Sequence, residues 1–319
     1  MSRHFAPTRA LTRALAGAVL VALTATACGS GAPSSDSDAD GRPRVVTSFY
    51  PLAFATERIG GETLDVSTLT KPGAEPHDLE LAPQDLTAMA GARLVIYSKG
   101  FQPAIDEGIA QVDPARVLDV SGPADLTPMA GPDGSEHPSG DKGGAEAKDP
   151  HFWLDPHRYA AVARAIEKRL AADDPANAAT YHAGTRALVA DLDKLDHDFA
   201  TALRDCTIKD LVTSHSAFGY LAARYGFEQH GISGLSPEAE PSAAALKAIT
   251  DLVKANGVTT IYQETLVEPH FAETVARSTG ARLATLDPVE GITSESPGTD
   301  YFEVMRSNLA VLVKGQDCR

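Results

Sequence analysis

The chain has little sulfur and no excess of positive charge. Its 319 residues include three cysteines, Cys28, Cys206 and Cys318, and no two of them have the short spacing of a metal-binding pair. A cysteine-rich zinc finger is therefore excluded, and so is a disulfide-built miniature scaffold. Lysine and arginine number 28 against 43 aspartates and glutamates, for a formal net charge of −15. Such a balance disfavours nucleic acid or an anionic membrane surface as a partner. There is no His-Glu-x-x-His helix of a zinc hydrolase and no Gly-x-Ser-x-Gly elbow of a serine hydrolase. The one long apolar run, Ala14 to Leu23, is short for a membrane span.

That run has a different meaning. Arg3, Arg9 and Arg13 precede it with no acidic residue among them, and the small residues Ala25-Thr26-Ala27 follow it. A basic stretch, a short apolar core and small residues form a secretory signal, taken here as residues 1–27. Cys28 stands where a bacterial lipoprotein carries its lipid, although Ala25 replaces the leucine such boxes prefer. Residues 28–43 are mostly Ser, Gly, Ala, Pro and Asp, which cannot bury enough surface to offset their ordering entropy. They read as a flexible tether that lets a folded body stand off a cell membrane. The expected location is extracytoplasmic, and in an oxidising compartment Cys206 and Cys318 are expected to pair, the alternative being two free buried thiols.

The remaining body, with 43% apolar residues over the whole chain, has enough for an ordinary core. Short apolar runs alternate with helical stretches. Arg44–Phe49, Leu64–Leu69, Arg93–Ser98 and Val117–Val120 read as strands in the first half. Asp210–Ser214, Glu228–Ile232, Thr259–Gln263 and Arg282–Leu286 do so in the second. Alternation of this kind gives βαβ units with mainly parallel sheets, so an α/β protein of two lobes is expected. Between them Leu188, Leu192, Leu195, Phe199 and Leu203 recur at helical spacing among aspartates and a lysine. One long rigid helix over residues 175–205, capped by Asp174, should join a lobe of residues 44–174 to a lobe of residues 206–319. Residues 121–148, rich in Gly, Pro and acidic residues with the single His137, read as a flexible acidic loop.

Chemistry concentrates in four segments far apart in sequence. Gly73–Asp78 holds His77, Asp149–Pro156 holds His151, Thr213–Tyr220 holds His215, and Leu286–Glu290 supplies a carboxylate. Three imidazoles and a carboxylate make a four-coordinate transition-metal site, with zinc the leading candidate. Only a tertiary fold could assemble it. Glu264, at the end of an expected strand, could accept from a ligand histidine and fix its ring. His157, His182, His197, His230 and His270 lack such a context and read as structural or solvated.

These motifs, with Pro83 and Ser236–Ser242, resemble the zinc/manganese solute-binding proteins of bacterial ABC importers. The resemblance runs from Arg44 to Cys318 and implies a receptor joined by an inter-domain helix, not an enzyme. By position it implies metal ligands at His77, His151, His215 and Asp287, the first two from the first lobe and the others from the second. Manganese members are similar but place a glutamate near the position of His215, so the resemblance implies Zn²⁺ ahead of Mn²⁺ or another divalent metal. It implies a lipid-anchored monomer whose partner is a membrane permease. A secreted zinc enzyme, which would leave one metal position to water, and a surface adhesin are the rival readings.

Overall fold

The computed structural model describes residue 38, residues 41–128 and residues 148–319. The signal segment, Cys28, most of the tether and His137 lie outside these residues.

The chain forms two four-stranded parallel sheets built on one plan. In the first lobe the elements are β1 (Arg44–Thr47), α1 (Tyr50–Gly60), β2 (Asp65–Thr68), α2 (Pro83–Gly91), β3 (Leu94–Tyr97), α3 (Pro103–Gly108), β4 (Val117–Asp119) and α4 (Pro156–Asp173). After α5 (Ala178–Ala202) come β5 (Asp210–Thr213), α6 (Gly219–Tyr225), β6 (Glu228–Gly231), α7 (Ala243–Ala255), β7 (Thr260–Gln263), α8 (His270–Thr279), β8 (Arg282–Thr285) and α9 (Tyr301–Gly315). The strand orders are β2-β1-β3-β4 and β6-β5-β7-β8, every pairing parallel. This is the two-lobed α/β fold that the alternation of strands and helices implies.

Side-chain alternation along the inner strands divides the core. Val45 of β1 and Leu211 of β5 face one large cluster that runs through both lobes. Their neighbours Val46 and Val212 face two smaller clusters, one per lobe, under α2–α3 and under α7–α8. The large cluster takes Leu188, Leu192, Leu195 and Phe199 from α5 and Tyr301, Val304, Met305 and Leu312 from α9. Each lobe thus has a private core on one face of its sheet and a shared core on the other.

The long helix begins later than the sequence pattern suggests. Pro175–Asn177 form a single 3-10 turn, and the α-helix runs 25 residues from Ala178, about 37 Å at the usual rise. Asp174 does not cap it; its Oδ2 instead accepts from Asn177 Nδ2 and from the Tyr181 hydroxyl, both at 2.8 Å. Gly184 lets α5 lie against the end of α1: a Cβ there would stand 2.4 Å from the Ile59 carbonyl oxygen. Arg58 of α1 and Asp191 of α5 pair at 2.6 Å beside that contact. The expected Cys206–Cys318 disulfide is formed, joining the chain just after α5 to the chain just after α9.

Candidate metal centre

Three of the four segments singled out above follow the carboxyl ends of β2, β5 and β8, where α/β sheets bind their ligands, and the Asp149–Pro156 segment leads into α4. His77 lies in the loop between β2 and α2. Its loop is fastened from below by buried Gln102, whose Nε2 donates to the Pro76 carbonyl and to Thr70 Oγ1, both at 3.0 Å. The His77 ring stands edge-on to Phe101 at 4.7 Å.

His151 sits just before a 3-10 turn, Phe152–Leu154, that runs into α4. Asp149 holds it twice: Oδ1 accepts from the His151 backbone N–H at 2.9 Å and stands 2.7 Å from its Nδ1. His215 follows β5 and is held the same way by Glu264, which follows β7. One Glu264 oxygen accepts from the His215 backbone N–H at 3.0 Å, and the other stands 2.6 Å from Nδ1. An ionised carboxylate can only accept, so each Nδ1 carries a proton and each ring turns its Nε2 inward, the nitrogen that a metal would meet once any proton there has left. His151, His215, Glu264 and Glu290 are all buried.

The carboxylate that meets these rings belongs to Glu290. Its Oε1 lies 3.1 Å from His151 Nε2, 3.4 Å from His77 Nε2 and 3.6 Å from His215 Nε2. His151 Nε2 is in turn 3.2 Å from His77 Nε2 and 3.3 Å from His215 Nε2. Ligand atoms around a tetrahedral zinc, bonded at about 2.0–2.1 Å, stand about 3.3 Å apart. Five edges of the cluster therefore have the length such an ion requires. Glu290 Oε1 is buried and makes no regular hydrogen bond.

Asp287, the ligand implied by resemblance, does not join this cluster. Asp287 is buried but turned away: Oδ1 accepts from the Val289 N–H at 2.7 Å and Oδ2 from Thr265 Oγ1 at 2.9 Å. Asn308 fixes its backbone on both sides. The Asp287–Val289 turn folds the loop back and delivers Glu290, three residues on, to the imidazoles. Val289 takes φ +58° to do so, a conformation that is strained for a β-branched residue and concentrates at functional loops. Trp153 Nε1 donates to the Pro288 carbonyl at 2.7 Å, so the His151 segment and the Glu290 loop brace each other.

Protonation follows from burial and neighbours. Burial opposes charge on every group here. It prevails at His77, which is lowered, and at Asp287, which is pushed up to about 6. At His215 the carboxylates of Glu264 and Glu290 outweigh it and hold the imidazole up to about 10; His151 is raised in the same way by Asp149 and Glu290. The three imidazoles hold Glu290 well below the usual carboxylate range. Without a cation, protons on the inward nitrogens balance the carboxylates. A divalent ion would replace them.

His157, His197 and His270 stand outside the cluster, and His182 pairs with Glu167. Glu290 is the residue that sequence reasoning passed over, although it lies in the segment expected to supply the carboxylate.

Residues 45–315 match the family described as ZnuA, zinc-uptake complex component A, periplasmic. The chain is 33% identical over 305 residues to the zinc-binding lipoprotein AdcA of Streptococcus pneumoniae R6, covering 94% of this chain and 60% of AdcA, so it spans well under two thirds of that relative. It is 32% identical over 297 residues to the high-affinity zinc uptake system protein ZnuA of Bacillus subtilis 168, covering 91% of this chain and 93% of ZnuA. Among solved structures, the Zn(II)-bound ZnuA-like domain of S. pneumoniae AdcA superposes with a TM-score of 0.72 at 32% identity, over 87% of this chain and 100% of that domain. The laminin-binding protein Lmb of Streptococcus agalactiae, described as bifunctional with adhesin and metal transporting activity, gives 0.73 at 34% identity over 86% and 99%. A shared fold, a match spanning almost the whole described body and these relatives agree: the chain belongs to the family of the periplasmic zinc-uptake component A.

Proposed function

We propose that this protein is an extracytoplasmic receptor that captures Zn²⁺ between His77, His151, His215 and Glu290 and delivers it to the permease of an ABC importer. The observation that carries the reading is the convergence of three inward nitrogens on one buried carboxylate oxygen. Such an oxygen is costly to bury unless a cation takes it. Three imidazoles favour zinc over manganese, which prefers oxygen ligands. Four protein ligands leave no open place for a reactive water, so the site suits holding and releasing an ion rather than catalysis. Asp149 and Glu264 fix the rings that bind it. Among the described residues no helix is long and apolar enough to cross a membrane; the lipid at Cys28 would hold this monomeric receptor at the membrane.

The test is a calorimetric titration of metal-stripped protein lacking the signal segment, first with Zn²⁺ and then with Mn²⁺. One zinc per chain in the cleft, not displaced by excess Mn²⁺, is the expected result; preference for Mn²⁺ or no tight binding would overturn the reading. E290Q should lose affinity more severely than D287N. The reverse order would return the fourth position to Asp287.

A further inference from the structure

The C-terminal lobe carries a second group of metal-ligating side chains, remote from the cleft. Asp210 opens β5, Glu228 opens β6, and the strand register sets them directly opposite each other. His230 is two residues beyond Glu228 and so lies on the same face of the sheet. Its Nε2 is 2.8 Å from Asp210 Oδ1, and one ligand atom from each of the three residues lies within 4.8 Å of the others.

Two features of this arrangement lack a structural explanation. Like charges directly opposite on neighbouring strands are destabilising, yet among the described residues no lysine or arginine pairs with either carboxylate. Lys209, adjacent in sequence, is directed over the Phe227 ring at 5.3 Å. Asn256 Nδ2, at 3.1 Å from Asp210 Oδ1, is a neutral donor. The second feature is His230 itself. It is 3% exposed, and its Nδ1 is buried without a hydrogen-bond partner among the described residues. Its Nε2 is the nitrogen turned to the carboxylates, so the buried ring is held at the group by Asp210 alone.

We propose that Asp210, Glu228 and His230 form a second divalent-cation site. One imidazole and two carboxylates suit zinc, cobalt or manganese, with water completing the shell because Glu228 is exposed. A site of three ligands, one of them in solvent, holds its ion more weakly than the four-ligand cleft and exchanges it readily. It lies at the opposite end of the sheet. His215 lies five positions beyond Asp210, about 16 Å along a strand. An ion there would neutralise the opposed carboxylates and tie the edge strand β6 to β5.

The experiment uses Zn²⁺ alone as probe, on protein with the cleft intact and on the H151A/H215A variant, whose cleft keeps two of its four ligands. Beyond the first equivalent, intact protein should take up a second, weaker one. H151A/H215A should keep that weaker event and gain thermal stability from it, so the result stands apart from the fate of the cleft reading. E228Q, altered at an exposed position and expected to fold normally, should weaken the second event by roughly tenfold or more, as should H230Q. With NMR, the His230 imidazole signals should shift as the second equivalent binds. Absence of any second event at millimolar zinc would overturn the proposal. So would a second event of equal strength in E228Q and H230Q.

Discussion

The two lobes share a strand order, a division of their cores and a habit of placing ligands at the carboxyl ends of strands, yet they hold those ligands differently. In the C-terminal lobe, His215 is fixed by Glu264 from a neighbouring strand, and Glu290 by a strained turn under Trp153. In the N-terminal lobe, His151 has Asp149 behind it. His77 has no carboxylate against its Nδ1 among the described residues, only the edge of Phe101 and a loop that runs from the end of β2 to Pro83. Loops of that length inside a compact domain are commonly functional. His151, His215 and Glu290 are thus braced by partners from elsewhere in the chain, and His77 is the least braced of the four side chains.

The strongest way to break this contrast is to remove one ligand of each kind. H215A should lower zinc affinity well beyond the roughly 100-fold that marks the upper range for outer partners. H77A should also lower it, but chiefly by faster zinc release, since the other three ligands remain in place. Stopped-flow release into a chelator, beside equilibrium titration, separates the two. Equal release rates would remove the distinction between set and mobile ligands.

The next test concerns the carboxylates behind the rings. E264Q and D149N each leave a hydrogen-bond acceptor at Nδ1 but delete its charge. Each should cost about 10- to 100-fold in zinc affinity, the usual effect of such partners. Because His77 has no such partner, its contribution should be unchanged in both variants. Competition titration against a chelator of known affinity would read the loss, and wild-type affinity in both would show that the carboxylates serve folding alone.

These residues also mark how far the sequence could be read. The strands were legible because Val45–Val46, Leu94–Ile96 and Leu211–Val212 are short apolar runs bounded by turn residues, and burial on both faces of a parallel sheet demands that pattern. His77, His151 and His215 were legible because each sits in an irregular Pro- or Gly-bearing segment just after a strand or a loop. Glu290 was not. Choosing between Asp287 and Glu290 depends on the fold-back at Val289, which is fixed by Thr265 and Asn308 from elsewhere in the chain. A β-branched residue at positive φ leaves no mark in sequence. The late start of α5 was hidden similarly, since Asp174 has a good capping side chain that Tyr181 and Asn177 engage instead.

Acidity sharpens the same contrast through protons. The metal-free His215 imidazole is held up to about 10, so at neutral pH its inward nitrogen carries a proton, and His151 is shifted in the same direction. His77 is lowered and carries none there. Zinc must displace the protons that are present, so affinity falls as pH falls, by about tenfold per pH unit for each proton released. His77 adds to that slope only in acid. Titrations in buffers of different ionisation enthalpy count the protons directly. Binding with none released at neutral pH would mean that His151 and His215 do not meet the metal as described.

The smallest effect on zinc should come from the one covalent difference between the lobes. Cys206 and Cys318 enclose the whole C-terminal lobe, β5 through α9, whereas residues 44–174 contain no cysteine. The bond restricts the unfolded chain, so C206S/C318S should lose about 2–4 kcal/mol of stability. Both cysteines lie where α5 and α9 end, away from the carboxyl-end loops that carry the ligands, so zinc affinity should stay within about 0.5 kcal/mol of wild type. The variant also asks whether the lobes fold as one. α5 and α9 pack into a single core that reaches both sheets, so weakening the C-terminal lobe should weaken the other with it. Urea unfolding followed by Trp153 fluorescence, which reports where the His151 segment meets the Pro288 turn, and by circular dichroism should give coincident transitions at a lower midpoint. If fluorescence kept the wild-type midpoint while the dichroism fell in two steps, the shared core would not couple the lobes. The preset half of the site could then not be inherited from a single rigid body.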